Sequence, residues 1–174
     1  MNLHPIFAHF PVALLTIYAI MELLRFKKLL AQPYWFYLKG AFVMLGGLGA
    51  LAADATGSQA ISYLGHSPTL RPLIRMHSLW AKITIAIFGI VAACYFFEWA
   101  ERQFRISDKL PALPRKLWNL IIMIARYMLG WPIVILALAG LAAVTVTGGL
   151  GGRLAYGPQA DPFFDYIYRL FLGS

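Results

Sequence analysis

The chain has 174 residues, of which 60% are hydrophobic and only 13% are charged. A soluble globule of this length needs more polar surface, so the composition excludes a soluble enzyme and indicates a single integral membrane domain over residues 1–174. The net charge of +8 would suggest nucleic acid in a soluble protein, but here the Lys and Arg residues flank apolar segments, so membrane topology explains them better.

Two apolar segments open the chain. The first, about residues 5–24, has no basic region before it and no small-residue cleavage site after it, so we expect a retained first span and no removable signal peptide. The second, about residues 34–53, begins with Tyr34, Trp35 and Tyr37, which are typical of an aromatic belt at headgroup level. The polar segment from about residue 55 to 75 predicts the longest loop.

The third predicted span covers about residues 76–99 and is followed by a charged, proline-containing connector over 101–116. The apolar segment over residues 117–147 is too long for one span and too short for two, and Trp131 and Pro132 divide it. Because proline removes a helical hydrogen bond, we expect an interfacial helix over 117–129, with Arg126 near headgroups, and a fourth span over about 131–149.

The chain closes with a glycine-rich segment, which is expected to end the fourth span, and a short amphipathic helix over 161–172. In that helix Phe164, Ile167, Tyr168 and Phe171 share one face, and Asp165 precedes Arg169 by four residues. This pattern predicts a helix lying on the membrane. The predicted fold class is therefore all-α, a bundle of four transmembrane helices with an interfacial helix before the fourth span and a C-terminal amphipathic helix.

The basic residues are distributed unequally between the two sides of these spans. Nine lie on one side and four on the other, so the first group is expected in the cytoplasm: Arg25, Lys27, Lys28, Lys39, Arg102, Arg105, Lys109, Arg115 and Lys116 against Arg71, Arg75, Arg153 and Arg169. Both termini are then expected to face away from the cytoplasm. Glu22 and Glu98 fall near the inner ends, where we expect them to pair with basic neighbours.

This topology places all four histidines, His4, His9, His66 and His77, on the outer side. Ionisable residues beside lipid are rare unless they have a function, so the cluster indicates a cofactor or ion site. His9 and His77 are the preferred pair, since each is expected one to two turns inside its helix with small residues beside it, pointing into the bundle. Hydrogen-bonded packing histidines are the alternative, and His4 and His66 also fit ordinary interfacial residues.

Two neutral imidazoles from different helices suit the axial positions of haem b. Arg71, Arg75 or Arg153 would then pair with haem propionates or with lipid phosphates. His4 and His66 are candidates for a second haem or, with His9 and His77, for a mononuclear copper, zinc or iron site. The chain contains no CxxCH or HExxH motif, so the absence of any cofactor also stays open.

Several motifs resemble a bacterial membrane family called domain of unknown function 2231. They are the opening HPIFAHFPVALL over residues 4–15, Thr56-Gly57 at the exit of the second span, His77 at the head of the third, and GGLGGRLAYG over residues 148–157. The resemblance covers nearly the whole chain. It implies a four-helix inner-membrane protein, and because some relatives are fused to Rieske iron–sulfur domains, it favours electron transfer.

Three functions fit these features. The first is a membrane redox protein, a b-type haem electron carrier with quinone and a periplasmic or membrane redox protein as candidate partners. The second is a cofactor-free membrane subunit or assembly factor of a larger redox complex. The third, a metal-ion carrier, is least favoured, because the spans lack a chain of acids, histidines or cysteines crossing the bilayer. An electron-transfer protein or a subunit is more expected than a stand-alone enzyme.

Overall fold

In the computed structural model, residues 4–64, 68–157, 159 and 161–173 are described, and so are their side chains except those of 4–6 and 58–64. The described chain consists of helices joined by short turns: α1 His4–Leu23, α2 Lys27–Leu30, α3 Pro33–Leu64, α4 Arg71–Phe104, α5 Ile106–Lys109, α6 Ala112–Met128, α7 Pro132–Tyr156 and α8 Pro162–Leu172. The all-helical prediction is confirmed for these residues.

Four of the helices form a ring. Helix α1 packs against α3 and α7, and α4 packs against the same two helices, so α1 and α4 are diagonal partners. They meet across the centre, where Tyr18 contacts the rings of Phe88 and Tyr95 edge to face at centroid distances of 6.0 and 5.9 Å. Leu15, Ile133 and other buried apolar side chains complete this core. The ring is a membrane-type bundle with a solid centre.

Among the described residues, three helical segments are long and apolar enough to cross a bilayer: Pro33–Gly57, Arg71–Phe104 and Pro132–Tyr156. The apolar part of α1 over Phe7–Leu23 is shorter. Three of the predicted spans are thus present as candidate spans, and each helix extends beyond the predicted boundaries.

The predicted loop over residues 55–75 is wrong in its extent. Helix α3 continues to Leu64, and α4 already begins at Arg71. The hydroxyl of Thr56 donates to the carbonyls of Ala52 and Ala53 at 3.1 and 3.0 Å, so this polar side chain is satisfied within the helix. Polar composition therefore marks where α3 leaves the apolar region, and the helix itself does not end there.

The connector and the interfacial helix also differ from their predicted boundaries. Residues 101–116 contain the end of α4, the short helix α5 and the start of α6, which begins at Ala112 after an extended Pro111. The predicted division at Trp131 and Pro132 is confirmed, because Pro132 is the first residue of α7. Proline suits this position, where its missing amide hydrogen would have no helical partner.

The glycines at 148–152 do not end the fourth helix, which continues to Tyr156 and stops at Gly157, whose positive φ of 84° favours glycine. The C-terminal helix is confirmed as α8, and the carboxylate of Asp161 caps it by accepting from the backbone amide of Phe163 at 2.7 Å. Its apolar face packs against α7 and α4, with Ile167 buried. The membrane-surface position of this helix stays a prediction.

Candidate functional site

His77 lies half-buried in the groove between α4 and α7. Its Nδ1 is 3.1 Å from the carbonyl oxygen of Thr147. Since a carbonyl only accepts hydrogen bonds, Nδ1 carries the proton and the lone pair of the neutral ring is on Nε2. This is the arrangement in which a backbone carbonyl orients a metal-binding imidazole, and it is also a sufficient partner for a packing histidine.

The same groove between α4 and α7 also holds a pair of threonines, and one of them, Thr84, lies about two helical turns after His77 in α4. The hydroxyl oxygens of Thr84 and Thr147 are 3.1 Å apart, a hydrogen-bond distance at which either hydroxyl can be the donor. Each hydroxyl also lies close to a carbonyl of its own helix, Trp80 at 2.9 Å for Thr84 and Ala143 at 2.8 Å for Thr147. Because a hydroxyl has one proton, one threonine donates to the other while the second donates to its own helix. These contacts connect α4 to α7 through polar groups inside an otherwise apolar interface. His77, Thr84 and Thr147 thus form a polar strip between the two helices, with His77 nearest the start of α4.

The glycines of α7 allow two neighbouring helices, α4 and α8, to approach its backbone closely. A Cβ atom at Gly151 would lie 2.9 Å from Cε1 of His77, and a Cβ at Gly152 would lie 2.5 Å from the ring of Phe164 in α8. At Gly149 the neighbour is Ile167, also in α8, at 3.0 Å. The glycine-rich segment is therefore a packing surface for His77 and α8. The sequence had predicted that these glycines end the helix.

Arg153, a predicted cofactor-binding residue, is used to hold α8. It forms an ion pair with Asp165, and its guanidinium carbon lies 4.2 Å over the ring of Tyr168. Asp165 also pairs with Arg169 at 2.6 Å, as its four-residue spacing predicts. One carboxylate thus joins the end of α7 to α8.

Of the remaining predicted site residues, those whose side chains the structure describes do not join His77. His9 is exposed on α1, with Ala13 on the same exposed face, so the expectation that His9 points into the bundle is wrong. Arg71 and Arg75 are exposed in the first turns of α4. His4 begins α1, but its side chain lies outside the described residues, as does all of His66. Within the described part of the chain, no group of three or more His, Cys, Asp or Glu residues is placed to hold a metal ion.

Replacing Gly152 with alanine should loosen α8. The new methyl group would overlap the ring of Phe164, which has to shift and withdraw with its helix. We expect amide hydrogen exchange in α8 to accelerate by about tenfold, the equivalent of ~1.4 kcal/mol. Gly148→Ala is the matched control, because its Cβ would meet only Val12 at 4.0 Å. Equal exchange in both variants would show that Gly152 is not needed for docking.

A second polar cluster, buried at the opposite end of the bundle, centres on Glu22, which is 1% exposed. Its carboxylate accepts from Lys39 Nζ at 2.9 Å and from the hydroxyls of Tyr95 and Tyr18 at 2.8 and 3.2 Å. Arg25 approaches it at 3.4 Å. The predicted pairing of Glu22 with basic residues is confirmed. The two tyrosines were missed, although Tyr18 precedes Glu22 by four residues and so shares its helical face.

Glu98 organises the neighbouring contacts in the same region. It accepts from Arg102 Nε at 2.7 Å and from Arg126 Nε of α6 at 2.8 Å, so its predicted pairing is also confirmed. The indole of Trp118 in α6 donates to Glu101 at 2.7 Å. The Arg126–Glu98 and Trp118–Glu101 contacts connect α6 to the end of α4.

Two open cavities lie at this same end. One, of about 380 Å³, is lined by Gln32, Trp35, Phe36, Lys39 and Arg102 among others. The other, of about 310 Å³, lies between α4 and α6 beside Glu101 and Arg126. Neither of these two cavities is lined by His9 or His77.

No protein-family model, curated protein or solved structure matches this chain. The resemblance to domain of unknown function 2231 therefore stays a prediction that rests on the motifs given above.

Proposed function

We propose that this protein is a four-span membrane redox protein that binds haem b through His77. The observation that carries the proposal is the contact between His77 Nδ1 and the Thr147 carbonyl, which orients the ring and leaves the lone pair on Nε2. A bound haem would supply a one-electron carrier, while the protein would supply the oriented ligand and a site between helices. Quinone and a periplasmic redox protein are the partners that this function implies.

The fit of the predicted ligands to haem is unequal. The imidazole of His77 fits in its chemistry and its orientation. His9 does not fit as its partner within the bundle, because it lies on the exposed face of α1. We therefore restrict the assigned ligand to His77, and a role for His9 is an outcome of the test below.

The four-span topology rests on the position of α1. Its 20 residues span about 30 Å, which is the thickness of the hydrocarbon core, and it completes the ring with α3, α4 and α7. The excess of basic residues around the Glu22 end supports a cytoplasmic location for that end in a bacterial inner membrane, with the histidine end and both termini periplasmic.

The test is an oxidised-minus-reduced optical spectrum, with haem analysis, of protein purified from haem-replete cells. We expect a b-type spectrum in the wild-type protein and its loss in His77→Gln, because glutamine can still donate to Thr147 but is not a haem ligand. Lys82→Gln is the matched control, since Lys82 is exposed on the same helix. Loss in His9→Ala as well would add His9 as a ligand. A colourless wild-type protein, or an unchanged spectrum in His77→Gln, would contradict the proposal.

The second candidate is a cofactor-free membrane subunit or assembly factor. It is favoured by the exposed position of His9 and by the packing of His77 against Gly151 and Thr147, which gives that imidazole a structural role. In this case wild-type protein is colourless, and both histidine variants co-migrate with the native complex in blue-native gels of host membranes.

A further inference from the structure

Helix α6 carries an apolar stripe that no other part of the described chain covers. Its members recur at intervals of four and three residues, so they share one helical face, and they are 47–81% exposed: Leu113, Leu117, Leu120, Ile124 and Tyr127. The adjacent face packs against α4 through Trp118, Ile122 and Ala125. One face of α6 therefore packs against α4, and a second, apolar face is exposed.

The level of this stripe coincides with the ends of the spans. Helix α6 connects the last residues of α4 to the first residues of α7. Exposed aromatic rings surround this level, at Trp131 just before α7 and at Tyr34 and Tyr37 at the start of α3. Such rings are typical of the boundary between hydrocarbon and headgroups, so the stripe lies where acyl chains meet headgroups.

The charge at this level is positive and incompletely neutralised. Glu22 and Glu98 are buried and each already contacts two basic side chains, while Glu101 accepts from Ser107 and Trp118. Asp108, the remaining acid of the connector, faces Arg105 at 3.5 Å. Several exposed lysines in α2, α5 and α6 have no carboxylate within 4.0 Å in the described part of the chain: Lys27, Lys28, Lys109 and Lys116.

We propose that the α6 stripe and these lysines together bind anionic phospholipid. The stripe enters the outer part of the acyl-chain region, while the lysines contact the phosphate and glycerol headgroups of the same leaflet. Charge complementarity selects this occupant over neutral lipid, since a basic side chain near an anionic membrane surface gains roughly fivefold in affinity at low salt. The proposal is independent of haem binding at the other end.

Intrinsic fluorescence reports on this region, because four of the five tryptophans lie at this end: Trp35, Trp99, Trp118 and Trp131. The full-length protein is reconstituted in phosphatidylcholine bilayers containing a small fraction of acyl-brominated phosphatidylglycerol or, in parallel, acyl-brominated phosphatidylcholine. We expect stronger quenching by the brominated phosphatidylglycerol at equal mole fraction. High salt should reduce the difference, because it screens exposed charges.

The decisive comparison uses two triple variants that each remove three exposed charges. Lys27→Gln, Lys109→Gln and Lys116→Gln together should bring the quenching ratio of the two lipids close to one. Arg71→Gln, Arg75→Gln and Lys82→Gln at the opposite end should leave the ratio at its wild-type value. Equal quenching of the wild-type protein by both lipids, or the same loss in both variants, would overturn the proposal. So would a wild-type dimer whose dissociation exposes the stripe, since a second copy would then be its occupant.

Discussion

Replacing Glu22 with leucine is expected to lower the free energy of unfolding by about 3–5 kcal/mol. The loss is large because it leaves the ammonium group of Lys39, which is also buried, without its carboxylate. The hydroxyls of Tyr18 and Tyr95 lose their acceptor at the same time. Reversible unfolding in mixed detergent micelles, followed by circular dichroism, measures the change.

A second substitution separates charge from packing. In Glu22→Leu combined with Lys39→Met, no unpaired charge remains, so we expect most of the lost stability to return. Asp108→Asn is the exposed comparison, because Asp108 pairs with Arg105 at the surface and should contribute less than about 1 kcal/mol. If the double variant is no more stable than Glu22→Leu, the loss comes from packing and not from the unpaired ammonium group.

Gly140→Ala is expected to destabilise the bundle by about 1–3 kcal/mol. A Cβ atom at Gly140 would lie 2.6 Å from Cζ of Phe88, and Phe88 is fully buried against Tyr18. The ring has little room to move, so α4 and α7 have to separate. The same unfolding experiment in micelles gives the difference from the wild-type protein.

The control for this change is Gly89→Ala, one residue from Phe88 in the same bundle. A Cβ atom at Gly89 meets nothing within 4 Å, so alanine should stabilise its helix by up to about 1 kcal/mol. Opposite signs for the two substitutions would show that packing overrides helix propensity at Gly140. Stabilisation by both would contradict the close contact with Phe88.

The helical class, the break at Trp131 and Pro132 and the C-terminal helix could be read from local pattern. Hydropathy and proline chemistry act over neighbouring residues, and those rules hold here. The boundaries of α3, α4 and α7 could not be read from local pattern, because these helices continue through polar residues and glycines. The glycines of α7 illustrate this, because their neighbours come from α1, α4 and α8.

The candidate site, too, could be predicted only in part from the sequence. Histidine positions along the chain indicated which end of the bundle to consider, but the direction in which an imidazole points depends on how its helix is rotated. That rotation places His77 against Thr147 and leaves His9 exposed. It also brings Lys39 and Tyr95 onto Glu22 from two other helices, a contact that no spacing along the chain encodes.

Composition and charge are sums over residues, so they are enough to identify a helical membrane protein with a basic end and a histidine end. Which of those residues contact one another depends on the tertiary structure. Side chains from different helices contact one another through the packing of whole helix faces, and that packing is set by the core around Tyr18, Phe88 and Tyr95.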